Sequence, residues 1–143
     1  MKPSHFLWLV IALVLPGCGG DSPTSATPAA VNLTGTWSGS WTFVTAGATV
    51  TDAVTMTLTG SGTSFSGQWS AAGGAAGTVV LTSGASLTGT ATISQTLISG
   101  VNCSASTTLT GTASSGQIRF TLATLTPTGL CQWAASQQFT FSR

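Results

Sequence analysis

The sequence predicts an all-β fold in which one antiparallel meander of eight strands closes into a small up-and-down barrel. From residue 32 onward, apolar residues alternate with serine and threonine at the two-residue period of strands with one buried face. Short segments rich in glycine and serine separate the alternating runs, as β-hairpins require. A related sequence motif also recurs along the chain. Three of its glycines, Gly67, Gly89 and Gly111, are spaced 22 residues apart, which is the length of one hairpin.

The first two runs are the clearest. Residues 33–43 place leucine, glycine, tryptophan and phenylalanine on one face and only threonine and serine on the other, which a helix would scatter around its axis. Residues 50–58 continue the alternation after the turn at residues 46–48. The inward side chains predicted for these two strands are Leu33, Gly35, Trp37, Gly39, Trp41, Phe43, Val50, Asp52, Val54, Met56 and Leu58.

The next three runs follow turn signals at residues 60–62, 72–74 and 83–84. Proline interrupts none of the runs, because it cannot donate to a strand ladder. The inward residues predicted here are Phe65, Gly67 and Trp69, then Val79 and Leu81, then Leu87, Gly89, Ala91 and Ile93.

The last three runs follow turns at residues 99–100, 114–116 and 127–129. Closing such a meander removes both sheet edges and leaves an interior that side chains fill or that holds one small ligand. A thin solenoid with rows of threonine and an immunoglobulin-like sandwich are the alternative folds. The repeats are too few and the aromatic content too high for the solenoid, and short turns favour the meander over the sandwich. The predicted inward residues are Cys103, Ala105, Thr107 and Leu109, then Ile118, Phe120 and Leu122, then Cys131, Trp133, Ala135, Gln137, Phe139, Phe141 and Arg143.

The N-terminal residues have the pattern of an export signal. Lys2 precedes an apolar run at residues 6–15, which is too short to span a bilayer about 30 Å thick, and small residues follow it. Leu15-Pro16-Gly17-Cys18 resembles the lipobox of bacterial lipoproteins, which implies that Cys18 begins the mature chain and carries lipid. By the same resemblance, the presence of Gly19 instead of an aspartate after Cys18 implies delivery to the outer membrane of a bacterial cell envelope. The alternative is an ordinary leader with a chance cysteine.

The chain therefore divides into three parts. Residues 1–17 form the signal peptide, and residues 18–31 form the lipidated cysteine with a tether of glycine, serine, threonine, alanine and proline that cannot bury a core. Residues 32–143 form the barrel domain, which is long enough for one core.

The composition argues against catalysis. Without its leader, the chain holds only Asp21, Asp52, Arg119 and Arg143 as charged side chains, and it has no glutamate or tyrosine. Paired carboxylates, a serine triad or a zinc site cannot be assembled from this set. Two arginines are too few for a nucleic-acid surface. We expect no enzymatic activity, no metal, no cofactor and no nucleic-acid partner.

The two cysteines of the barrel domain are expected to form a disulfide. In an exported chain, Cys103 and Cys131 pair most simply with each other. A redox role is the alternative, but it would favour a C-x-x-C spacing, which is absent.

The opening of the barrel domain carries a family resemblance. Asn32-Leu33-Thr34-Gly35-Thr36-Trp37 resembles the Asn-x-x-Gly-x-Trp start of the first strand in the calycins, the superfamily of lipocalins, fatty-acid-binding proteins and avidins. The resemblance implies a closed barrel in which an arginine of the last strand packs across this tryptophan. Arg143 stands at that position. The alternative is that Arg143 is a frayed terminal residue.

Four tryptophans and one carboxylate are candidate ligand-binding residues. Trp37, Trp41, Trp69 and Trp133 share the inward phase and could box a ligand, with Asp52 as a polar contact at a pocket mouth. Among the calycins, the avidin-like members have the most similar strand-opening sequences. The chain lacks their tyrosine and their Asn-x-x-Gly-Ser turn, so biotin binding is not predicted. The alternatives are that the rings only fill the core and that Asp52 is solvated near a turn.

These observations predict a non-catalytic, lipid-anchored envelope protein. Its partners would be the membrane, through Cys18, and a small apolar or neutral ligand inside the barrel, unless the barrel is only structural. The alternative is an adhesive protein without a pocket, which would bind a surface or polymer through its uncharged serine and threonine face.

Overall fold

The computed structural model describes residues 31–45, 48–97, 99–126, 128, 130–134 and 137–143. The predicted leader, Cys18 and the tether up to residue 30 lie outside these residues, as does Ala135. Eight strands are found in the described ranges: β1 (Gly35–Thr45), β2 (Ala48–Ser61), β3 (Ser64–Ala71), β4 (Ala76–Ser83), β5 (Leu87–Thr96), β6 (Asn102–Ala113), β7 (Gln117–Leu122) and β8 (Gln137–Ser142).

The strands form one closed barrel in sequence order. Each strand pairs antiparallel with the next, and β8 returns to pair with β1, so that Ser38 faces Ser142 and Phe43 faces Gln137. The predicted all-β, up-and-down closed barrel is confirmed, and this architecture is compatible with a calycin-like fold. Within the described ranges, no helix has the length and apolar character needed to cross a bilayer.

The core lies inside the barrel and follows the predicted alternation. Along β2, β3 and β4, buried inward residues alternate with exposed residues that are mostly threonine, serine and glutamine, with Val80 as an exposed apolar exception. Val31, the last residue of the predicted tether, also packs against the core. The largest fully buried side chains are Trp37, Phe65, Phe139, Phe141, Leu33, Met56, Leu58, Leu81, Leu87, Ile93, Leu109 and Ile118.

Two parts of the predicted strands differ from the structure. The eighth strand was predicted to start at Cys131, but β8 begins at Gln137, and Cys131 makes only an isolated bridge with Thr128. The disulfide, rather than a strand ladder, holds this connection. Val50 was predicted to face inward, yet it is 37% exposed. It belongs to a hairpin that extends past the rim, since β3 pairs with β2 only from Val54 onward.

The glycines of the 22-residue repeat have one structural cause. A β-carbon added at Gly67, Gly89 or Gly111 would overlap a backbone carbonyl oxygen of the neighbouring strand, which belongs to Thr57, Val80 and Arg119 respectively. The backbone of the adjacent strand therefore occupies the space in which a side chain would begin. Glycine at these inward positions lets the strands bend enough to close a narrow barrel.

The two ends of the barrel differ. One end of the barrel, which we call the sealed end, is where β1 starts and β8 finishes. It also carries the β2–β3, β4–β5 and β6–β7 turns. The mouth is the opposite end. It carries the β1–β2, β3–β4 and β5–β6 turns and the long connection from β7 to β8.

Candidate ligand site at the barrel mouth

The mouth holds a partly open cavity of about 280 Å³. Strands β1, β5 and β8 and the connection before β8 supply its walls. At about 30 Å³ for each molecule of liquid water, this volume equals about nine waters, which suits a small organic molecule at the lower end of known ligand sites. The lining residues are Trp41, Phe43, Ile93, Gln95, Leu97, Gln132, Trp133, Ala134 and Gln137.

A packed aromatic cluster supports the cavity from below. The Trp41 ring is 4% exposed and stacks on Phe139, with ring centroids 5.7 Å apart and planes 8° apart. The Trp69 ring meets the Trp41 ring edge-on, with centroids 5.7 Å apart, and the Phe43 centroid lies 4.4 Å from the Trp41 centroid. Such stacked and edge-to-face contacts fix ring orientation. The inner wall of the cavity is therefore preorganised.

A disulfide fixes the outer wall. Cys103 and Cys131 are bonded, as the sequence predicted, and Cys103 pairs across the β5–β6 ladder with the lining residue Gln95. The bond ties the start of β6 to the connection that carries Gln132, Trp133 and Ala134. Trp133 is half-buried and packs against the core from this connection. The outer wall of the cavity consequently depends on a covalent tie instead of a strand ladder.

Three polar atoms at this cavity lack hydrogen-bond partners. They are Nε1 of Trp41, Nε1 of Trp133 and Oε1 of Gln137, and they are the buried side-chain nitrogen and oxygen atoms without a partner in the described part of the chain. All three residues line the mouth cavity. A buried polar group left unpaired costs about 1–3 kcal/mol, so their clustering in one place requires an explanation.

None of the described residues that line the mouth cavity carries a charged side chain. Asp52 pairs with Trp41 in the β1–β2 ladder, but its Oδ2 accepts a hydrogen bond from the backbone N–H of Gly73 at 2.6 Å and so holds the β3–β4 turn. Arg119 is exposed on the outer face of β7. Among the described residues, no cluster of histidine, cysteine and carboxylate groups could hold a metal ion.

The four predicted tryptophans do not form one box. Trp41 and Trp133 line the cavity, whereas Trp69 packs behind Trp41 and donates from Nε1 to the carbonyl of Thr92 at 3.2 Å. Trp37 lies toward the sealed end, where its Nε1 donates to the carbonyl of Leu33 at 2.8 Å. Trp37 and Trp69 therefore do not line the mouth cavity.

The glutamines of the cavity were not among the predicted site residues. Gln137 is 3% exposed on β8, and Gln95 continues the inward phase of β5 by one step beyond Ile93. A glutamine in inward phase is uncommon in a chain whose inward positions are mostly apolar or small. This was the signal in the sequence that could have marked both residues.

Arg143 closes the sealed end. Its guanidinium carbon lies 4.4 Å from the centroid of the Trp37 ring. The guanidinium donates to the carbonyls of Asn32, Thr34 and Ser115 at 2.9, 3.0 and 2.8 Å. The arrangement predicted from the calycin resemblance is thus present, and it closes the end of the barrel opposite the mouth.

The chain matches no protein-family model, no curated protein and no solved structure with which it was compared. Its function is therefore inferred from the chemistry of its own residues.

A second, larger groove of about 540 Å³ lies on the outside of the barrel. Strands β2, β3 and β4 form it, and exposed Thr55, Thr57, Thr59, Gln68 and Ser70 supply most of its polar lining. It is a more open surface than the mouth cavity. Its hydroxyl groups reach water, so it lacks the buried unpaired atoms that distinguish the mouth.

Proposed function

We propose that this protein binds a small uncharged ligand at the barrel mouth and does so without catalysis. The observation that carries the proposal is the coincidence of a preorganised aromatic cavity with Trp41 Nε1, Trp133 Nε1 and Gln137 Oε1, which have no partners. Ligand sites combine apolar walls with a few polar groups that fix orientation, and this cavity has that composition.

The ligand is uncharged because the cavity offers no opposite charge. Moving an ion out of water without a counter-charge costs far more than aromatic contacts return. The absence of an acid or base along the lining residues equally supports binding over turnover, since proton transfer needs a titratable group within hydrogen-bond reach.

The cellular setting of the proposal comes from the sequence. The lipobox at Leu15-Pro16-Gly17-Cys18 supports a lipid anchor in the outer membrane, with residues 18–31 as the tether. The Asn32 to Trp37 opening and the contact between Arg143 and Trp37 support a calycin-like barrel. Together they support an envelope-bound module that presents one small-molecule site.

Native mass spectrometry and ligand titration test the proposal. The intact protein, purified from membranes, is expected to retain a small molecule, or to bind benzamide or toluene with a change in tryptophan fluorescence. Ala134→Leu is expected to fill the mouth and abolish both signals. Ala53→Leu, on the exposed outer face of β2, is the matched control and is expected to change neither. No retained molecule and no binding of either probe would refute the proposal.

The outer groove supports an adhesive role as the second candidate function. Its hydroxyl groups form an uncharged surface that could contact a polymer or another surface. In that case, the protein would bind insoluble envelope material, and Thr57→Lys in the groove would abolish the binding. Ala134→Leu would leave it intact. If binding is instead lost in Ala134→Leu and kept in Thr57→Lys, the result would support ligand binding at the mouth cavity.

A further inference from the structure

We infer that the ligand at the mouth carries an uncharged carboxamide-type group attached to an apolar ring. Its carbonyl oxygen would accept hydrogen bonds from Nε1 of Trp41 and Trp133, and its N–H would donate to Oε1 of Gln137. This inference rests on the proposed function and assigns the ligand's polar group.

The polarity of the three unpaired atoms defines what the ligand must supply. An indole nitrogen only donates, and an amide oxygen only accepts. Three residues that line the same cavity therefore carry two buried donors and one buried acceptor without protein partners. A matching ligand needs acceptor capacity for two hydrogen bonds and at least one donor.

A carboxamide meets this requirement better than the other common polar groups. Its carbonyl oxygen has two lone pairs, and its nitrogen carries a donor on a separate atom of the same plane. A hydroxyl group would have to place all three protein atoms around one oxygen. A carboxylate has no donor and would enter without a cation among the lining residues.

The apolar walls determine the rest of the ligand. Trp41, Phe43 and Ile93 offer aromatic and aliphatic contacts around the polar groups. A planar ring fits against indole and phenyl faces in stacked or edge-to-face contact. The volume of about 280 Å³ limits the ligand to a small ring system with one such polar group.

Access to the three atoms requires a movement at the mouth. The unpaired atoms are shielded from solvent as well as from protein partners. Trp133 is half-buried and lies on the connection before β8, outside the strand ladders. Rotation of this indole away from the cavity admits the ligand, and its return closes the site over the carboxamide.

Three probes of nearly equal size and shape test the inference. Benzamide has the donor and the acceptor, acetophenone keeps only the acceptor, and isopropylbenzene has neither. Each is titrated into the wild-type protein, into Gln137→Met and into Trp133→Phe. The ratio of variant to wild-type Kd is compared between probes, because that ratio cancels their different transfer free energies from water. Gln138→Met, on the exposed neighbouring position, is the matched control.

We expect Gln137→Met to weaken benzamide binding about tenfold, or about 1.4 kcal/mol, and to leave the other two probes unchanged. Trp133→Phe is expected to weaken benzamide and acetophenone more than isopropylbenzene. If all three probes bind but show equal ratios, the carboxamide assignment is wrong while the binding function stands. If no probe binds to the wild-type protein, and its native mass spectrum shows no retained molecule, both fail. Circular dichroism verifies that each variant keeps the barrel.

Discussion

The guanidinium of Arg143 lies over the indole of Trp37, with 4.4 Å between its carbon and the ring centroid. These residues come from opposite ends of the domain, and the contact exists because β8 pairs with β1. The same guanidinium also binds carbonyls from the segment before β1 and from the β6–β7 turn. One side chain thus joins three parts of the sealed end.

Replacing Arg143 should destabilise the barrel without affecting the mouth. Arg143→Ala is expected to lower the free energy of unfolding by about 1–2 kcal/mol, through loss of an exposed cation–π contact and of hydrogen bonds from a charged donor. Arg143→Lys should recover little of the loss, because lysine lacks the planar fork. Urea denaturation measures the change, and Arg119→Ala on the outer face is the control. Equal effects at Arg119 and Arg143 would contradict this role.

The repeat glycines should resist even the smallest substitution. Gly89→Ala is expected to destabilise the barrel by about 1–3 kcal/mol, since its β-carbon would overlap the carbonyl oxygen of Val80 and force the strands apart. Gly116→Ala is the matched control, because an added β-carbon there meets no atom within 4 Å. Thermal unfolding followed by circular dichroism compares the two. A stable Gly89→Ala barrel would show that closure does not depend on this glycine.

The alternating pattern predicted the face of most strand residues, and this was enough for the barrel. It could not predict the level of a residue along the barrel axis. Trp37 and Trp41 share a face, but four residues of strand place them about 13 Å apart, near opposite ends. Trp41 and Trp133 therefore line the mouth cavity, whereas Trp37 and Trp69 lie outside its lining.

The course of the connection before β8 was also beyond the sequence pattern. Cys131 and Trp133 continue the two-residue phase of β8, so alternation alone extended the strand through them. In the structure, the disulfide draws this segment to the start of β6, and Trp133 covers the mouth instead. Long-range covalent ties of this kind leave no trace in local periodicity.

The disulfide should matter more for the site than for the barrel. The Cys103→Ser/Cys131→Ser double variant lacks the covalent link between two residues 28 positions apart. On the chain-entropy model, this link contributes about 3–4 kcal/mol to the free energy of unfolding. We expect a lower denaturation midpoint and a loss of probe binding, because the wall that carries Trp133 is released. Far-ultraviolet circular dichroism should still report strands. Unchanged binding in the double variant would show that the wall is held by other contacts.

Lipid attachment should depend on Cys18, which lies outside the described residues. Cys18→Ala is expected to move the full chain from the detergent phase to the aqueous phase in a Triton X-114 partition, since stable anchoring requires acyl chains. Gly19→Asp keeps the cysteine and is the matched control. It should remain in the detergent phase but leave the outer-membrane fraction. Unchanged partition of Cys18→Ala would contradict the lipoprotein assignment.

The unpaired acceptor of Gln137 should make the ligand-free barrel less stable than an apolar side chain of similar volume would. Gln137→Met removes a buried oxygen without a partner and keeps similar volume, so we expect the free energy of unfolding to rise by about 1 kcal/mol. Gln138→Met, exposed on the same strand, should leave stability unchanged. Urea denaturation without ligand measures both. Because the same substitution is expected to weaken benzamide binding, stability and affinity would change in opposite directions. A less stable Gln137→Met barrel would mean that this glutamine serves the fold, because a group kept for function is expected to cost stability in the ligand-free protein.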